Sequence, residues 1–176
     1  MLQPSTHHRG IKRFAETDHI EERHEKNAFI QKKVFDFECK AVLKGHIFDL
    51  QLSRIVSEAK YVILFFYSYD FTEQSKNDLQ LIENYCSQFT ALGALPLAIS
   101  HDQVAIHTAF ATPRLTKNSL LFSPSFPLFS YDALQSDYKR MKRTAVVINN
   151  DMQQVAHFSL ADDKHFPMSK ILRSLT

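Results

Sequence analysis

Tryptophan is absent from this 176-residue chain, glycine occurs only three times and cysteine only twice. So few glycines argue against Gly-rich phosphate loops, and neither a G-x-G-x-x-G nor a P-loop pattern appears. Cys39 and Cys86 have no metal-ligand spacing and make no disulfide framework, which removes a cysteine-built zinc site and a small disulfide-held secreted domain. No apolar run is long enough to cross a bilayer and no secretory pattern opens the chain, so a reducing, cytoplasmic setting without membrane contact is expected. The net charge of +2 is too small to point to nucleic acid. No cofactor and no metal are expected.

What is there centres on residues 61–78, YVILFFYSYDFTEQSKND. Positions 62–67 form a continuous apolar run rich in β-branched and aromatic residues, the pattern of a strand buried on both faces. Asp70, Thr72 and Ser75 then offer cap-type side chains, and Leu79, Leu81, Ile82, Tyr85, Cys86, Phe89 and Leu92 have the spacing of an amphipathic helix over 78–92. The junction is a strand end meeting a helix N-terminus, where unpaired N–H groups and the helix dipole favour an anion.

Phe65, Phe66, Tyr67, Asp70, Phe71 and Thr72 also carry a family pattern, roughly F-F-Y-P-x-D-F-T-x-x-C-P. The segment resembles the active-site segment of the peroxiredoxins, the alkyl hydroperoxide reductase C / thiol-specific antioxidant family. The departures are Ser68 at the first proline, Ser75 at the peroxidatic cysteine and Lys76 at the following proline. An engineered trap would normally keep both prolines, so three changes in one loop mark Ser75 as the native residue. The resemblance implies an α/β, thioredoxin-like fold of peroxiredoxin type, with a mixed central sheet and helices on both faces. It also implies site roles. Arg143, in Lys142-Arg143-Thr144 before AVVIN, matches the arginine that faces the peroxidatic sulfur, and Asp78 stands where a glutamate orients that arginine. Arg114 matches a T-P-R element that marks the fold more than the chemistry. A further family arginine near the last helix has no counterpart in HFPMSK, and the family's C-terminal arm with a resolving cysteine is not expected after Thr176.

Residues 1–33 are expected to form a polar, partly disordered extension, and 34–176 the peroxiredoxin-like domain. The extension holds seven Lys or Arg against five Asp or Glu and so carries the whole net charge. Asp18 and Glu21 suggest a capping box for a short helix through about residue 31. His19 and His24, five apart, fall on different helix faces and give no metal site. Interleaved acids also argue against a transit peptide. Strands are expected over 34–43, 48–52, 94–100, 144–148 and 154–158, with 53–60 as a connection and 112–125 as turn-formers. Further helices are expected over 104–110, after Asp102, over 131–138 and over 169–175, with a short apolar piece at 126–130.

In peroxiredoxins a thiolate attacks peroxide and becomes a sulfenic acid, and a helix N-terminus and arginine lower the thiol pKa to make that thiolate. Serine lacks both the acidity and the oxidation step. The chain is therefore expected to be a pseudoenzyme acting by binding or regulation, with an anion- or peroxide-like ligand at a Ser75, Thr72 and Arg143 pocket. Ser75 as a nucleophile would need a base, and His46, His101 or His107 could approach only through folding. The plainer expectation is that Ser75 caps the helix. The competing function is a thiol-dependent peroxidase using Cys86 or Cys39, although Cys86 lies about 16 Å along the helix from Ser75 at ~1.5 Å per residue. A homodimer through the 154–158 edge strand or the 69–71 loop is expected. The run 139–143, without interleaved aromatics, gives no nucleic-acid signal.

Overall fold

The computed structural model describes residues 32–43, 46–114, 120–124 and 142–176, and of 111–114 and 120–124 the backbone only. The expected features of residues 1–31, the apolar piece at 126–130, the helix at 131–138 and most of the basic run at 139–143 lie outside the described residues.

The apolar run becomes β4 (Tyr61–Phe66), and it sits inside an eight-stranded sheet. On one side β4 pairs in parallel with β5 (Ala94–Ile99), and on the other antiparallel with β7 (Thr144–Asn149), so that Leu64 lies beside Leu97 and Val146. Around this centre are β1 (Lys32–Lys33), β2 (Glu38–Leu43), β3 (His46–Gln51), β6 (Leu120–Pro124) and β8 (Gln153–Ser159), in the order β1-β8-β7-β4-β5-β6-β2-β3. The period of two along β4 separates two cores. Val62, Leu64 and Phe66 face one core, together with Leu52 and Val56 of α1 (Leu52–Glu58). Ile63, Phe65 and Tyr67 face the other, with Leu79, Ile82 and Phe89 of α2 (Glu73–Ala91) and Met168 and Ile171 of α4 (Met168–Arg173). Each fully buried side chain of this kind stabilises by roughly 1.5–3 kcal/mol, which makes β4 the middle of both layers. The mixed sheet with helices on both faces is the expected architecture.

Three differences have local causes. The strand expected from Val34 begins only at Glu38, because the Asp36 carboxylate turns back to accept hydrogen bonds from the Ser53 backbone N–H at 2.7 Å, Ser53 Oγ at 2.6 Å and Gln51 Nε2 at 2.8 Å. That contact supplies the N-terminal cap of α1, which lacks one from its own N-cap Gln51 and occupies the stretch expected as a connection. Secondly, α3 (Val104–Arg114) runs through Pro113, and β6 falls inside the stretch expected as turns. Thirdly, Lys32 and Lys33, expected in the extension, are strand β1, antiparallel to β8 with Lys32 opposite Gln154. The edge expected at 154–158 is therefore covered at its start.

Gly93 ends α2 with φ +74, and its carbonyl accepts from Lys60 N at 3.0 Å and Tyr61 N at 3.2 Å. A Cβ there would meet Lys60 Cβ at 3.1 Å. This glycine lets the helix end pass directly into the start of β5, beside β4.

Candidate functional site

The site loop leaves β4 at Tyr67 and enters α2 at Thr72. Phe71 takes the left-handed region at φ 61, an uncommon conformation for a bulky residue, and its ring meets Phe110 edge-on at 5.0 Å. Thr72 is the N-cap of α2. Its Oγ1 accepts from the Ser75 backbone N–H at 3.1 Å and lies 2.8 Å from Ser75 Oγ. Thr72, not Ser75, is thus the cap, a correction to the expectation for Ser75. Ser75 belongs to the first helical turn and is buried. The hydroxyl's partner among the described residues is Thr72, with no base in contact.

Arg143, at the start of β7, and Asp78, one turn into α2, form a buried fork: Nε donates to Asp78 Oδ2 at 2.7 Å and Nη2 to Oδ1 at 2.5 Å. Burial pushes the Asp78 carboxyl upward, while the Arg143 hydrogen bonds, its charge and that of His165 pull it back, leaving it raised. Nη1 turns the other way, to the carbonyls of Lys164 at 2.7 Å, Asp162 at 3.3 Å and Ala161 at 3.4 Å. The guanidinium stacks over Phe166 at 5.5 Å. Arg143 is therefore largely committed to the protein, and the second N–H of Nη2 is the donor outside these bonds. Arg114 closes α3, and its side chain lies outside the described residues.

A second buried network holds the loop from beneath. Tyr67 Oη donates to Asp70 Oδ1 at 2.7 Å, and His107 Nδ1 is 2.6 Å from Asp70 Oδ2. The Asp70 N–H donates to Asp102 Oδ2 at 2.6 Å, and the Ser100 hydroxyl lies 3.2 Å from the same oxygen. Burial, followed by the Asp70 charge and hydrogen bond, raises the Tyr67 phenol well above its usual range. Of the three histidines that folding could bring to Ser75, His107 goes to Asp70, and His101 packs its ring 6.3 Å from Tyr69. The sequence reading missed this network, although one signal was present: His107 shares the inward face of α3 with Val104 and Phe110 at a spacing of three, and a polar group there needs a buried partner.

The two thiols lie elsewhere. Cys39 belongs to the core on the α1 face and Cys86 to the core on the α2 face, so the sheet separates them. Neither is in a disulfide and both are buried, and burial pushes the Cys39 thiol up to about 12.

Comparison with known proteins places this geometry. The family model described as AhpC/TSA family matches residues 30–157, well over half of the chain. Peroxiredoxin prdx-2 of Caenorhabditis elegans is 36% identical over 83 residues, which cover 47% of this chain and 40% of that protein. Peroxiredoxin-2 of Cricetulus griseus is 37% identical over 89 residues, covering 50% and 44%. The chain thus spans less than half the length of the curated relatives it matches. Among solved structures, Enterococcus faecalis AhpC superposes with a TM-score of 0.74 at 19% identity, over 82% of this chain and 89% of that one. The reduced 2-Cys peroxiredoxin of Plasmodium vivax also gives 0.74, at 21% identity over 84% and 80%. Those two likenesses concern the fold; the matched family model carries the assignment that the chain belongs to the AhpC/TSA, or peroxiredoxin, family.

Proposed function

We propose that this chain is a peroxiredoxin-family protein without fast peroxidase activity, acting by binding or regulation. The observation that carries the reading is Ser75 itself: a buried hydroxyl at the helix N-terminus, held by Thr72, in the place of the family's thiol. A hydroxyl there is held far from ionisation and offers no sulfenic step, so peroxide has nothing to oxidise. Cys39 and Cys86 supply no substitute, since each is packed in a hydrophobic core away from Ser75. What Thr72, the Ser75 helix turn and the outstanding Nη2–H of Arg143 could still do is hold an anion- or peroxide-like group. On the same proposal, the protein acts in the cytoplasm as a homodimer. Exposed Tyr69 and Phe71 favour the 69–71 loop as the contact, because β1 already covers the start of β8. The 154–158 edge strand, covered by β1 at Gln154, is the alternative contact.

The test is peroxide consumption by the purified protein with excess dithiothreitol, beside Ser75→Cys. The native protein should match the blank, and the variant should gain activity through a thiol titrating below its free value of about 8.5. Rapid consumption by the native protein, abolished by Cys86→Ser or Cys39→Ser, would overturn the proposal and make the chain a thiol peroxidase.

A further inference from the structure

A groove of about 720 Å³ lies between α2 and the segment 165–173, on the surface beside the Asp78–Arg143 fork. Its apolar floor includes Leu81, Tyr85 and Phe166, and its rim carries the cations Lys170 and Arg173 beside the His165 ring. Among the described residues no carboxylate lines it, and neither Lys170 nor Arg173 makes an ion pair. An amphipathic segment with carboxylates on one side and an aliphatic residue on the other is the complement.

This chain carries such a segment. Residues 16–25, ETDHIEERHE, hold five carboxylates against the single Arg23, with Ile20 in the middle. The direction of β1 leads toward the groove. β1 runs antiparallel to β8, so the chain enters Lys32 from the end of β8 at which Ser159 stands, and from there the 160–167 loop leads into the groove wall. From Gln154, opposite Lys32, to Ser159 is about 17 Å at ~3.4 Å per residue. The seven residues from Glu25 to Lys32 reach up to about 24 Å. A tether that short gives an effective concentration of the order of millimolar, enough to fill a groove of modest affinity.

We propose that the acidic segment 16–25 of the same chain docks in the α2–α4 groove, with Ile20 on the apolar floor and its carboxylates against Lys170 and Arg173. This contact is independent of the chemistry at Ser75. It places the extension over the loop whose carbonyls hold Arg143, so docking braces that side of the site.

Carbodiimide coupling of the full-length protein, followed by peptide mapping, tests the contact, because this reagent joins carboxylates only to amines they touch. Links from Glu21, Glu22 or Glu25 to Lys170 are expected, in preference to the exposed Lys60 on the opposite side of α2's far end. In Arg173→Glu, which keeps the Lys170 amine but reverses the rim charge, their yield should fall at least fivefold. Mixing ordinary and ¹⁵N-labelled protein before coupling should give no isotopically mixed pairs. Absence of the Lys170 links, equal yield in Arg173→Glu, or mixed pairs showing that a second copy fills the groove would each overturn the proposal.

Discussion

Removal of the Asp78 carboxylate should be the most damaging single change at the site, and its cost follows from the fork. Asp78→Ala leaves the Arg143 guanidinium buried, with Nε and Nη2 unpaired and only the Nη1 contacts to the 161–164 carbonyls intact. Two unit charges about 4 Å apart attract by about 4 kcal/mol at an effective dielectric near 20. Removing one partner of such a buried pair costs about 3–5 kcal/mol, because the other charge stays desolvated. Against a total stability of about 5–15 kcal/mol this is a large share. With a urea slope near 2 kcal/mol/M, the unfolding midpoint should fall by about 1.5–2.5 M in a circular-dichroism titration. Replacing both partners, as in Asp78→Leu with Arg143→Met, should recover most of that loss, since the pair's desolvation is then no longer incurred and water can serve the exposed 161–164 carbonyls. If Asp78→Ala shifts the midpoint by less than a quarter of the expected amount, or if the double variant loses the sum of the two single losses, the fork is not what holds α2 to β7.

Other consequences are more local. Gly93→Ala should cost about 1–3 kcal/mol in the same titration, because alanine at φ +74 is strained and its Cβ presses on Lys60; an unchanged midpoint would show that the helix end relaxes without loss. Cys39 should resist thiol reagents at pH 8 and label only on unfolding. Its raised pKa also means a contribution to stability that is full below the unfolded thiol pKa and is lost as pH climbs from near 9 toward about 12. Asp36 has the opposite sign. Burial raises its pKa, but the hydrogen bonds from Ser53, Gln51 and Phe37 outweigh that and lower it, so its contribution is present above about pH 4 and lost as pH falls below the usual carboxylate range. Asp36→Asn should flatten acid unfolding in that window.

The parts of the fold legible in the sequence were those in which one period dominated. β4, β5 and β7 announce themselves by continuous apolar runs and β8 by the turn residues 149–151 before it, with bounds within a residue or so of expectation. α2 keeps its expected end but begins five residues earlier, at Glu73, because its first turn is polar. β6 was hidden because Ser119 and Ser123 flank only three apolar residues, and its strand character comes from pairing with β2 and β5. α1 was hidden for a similar reason: its cap comes from Asp36, sixteen residues before its first helical residue. At the site, Thr72, Ser75, Asp78 and Arg143 could be named because they lie on a family pattern. Their partition of roles could not, since whether Ser75 or Thr72 caps depends on where the helix begins. The Tyr67–Asp70–His107 network joins residues up to 40 positions apart and needed the fold itself.

Under the proposed reading, the arrangement also accounts for a site kept without a thiol at position 75. Thr72 satisfies an N–H of the first turn of α2, and Asp78 with Arg143 ties that helix to β7 and to the 161–164 turn. Each does this whether position 75 carries sulfur or oxygen. Loss of the thiol removes the electron pair that peroxide would oxidise, whereas loss of the fork would expose a buried charge at a cost of about 3–5 kcal/mol. On the proposed reading, stability alone is therefore enough to keep the arginine and its carboxylate beside a serine at position 75. Their presence says that α2 is anchored, and it is the identity of residue 75 that speaks to catalysis. The Ser75→Cys variant separates the two roles. If it gains peroxidase activity with an unchanged unfolding midpoint, the anchor and the reagent are independent parts of one loop; if activity appears only together with a shift in stability, they are not.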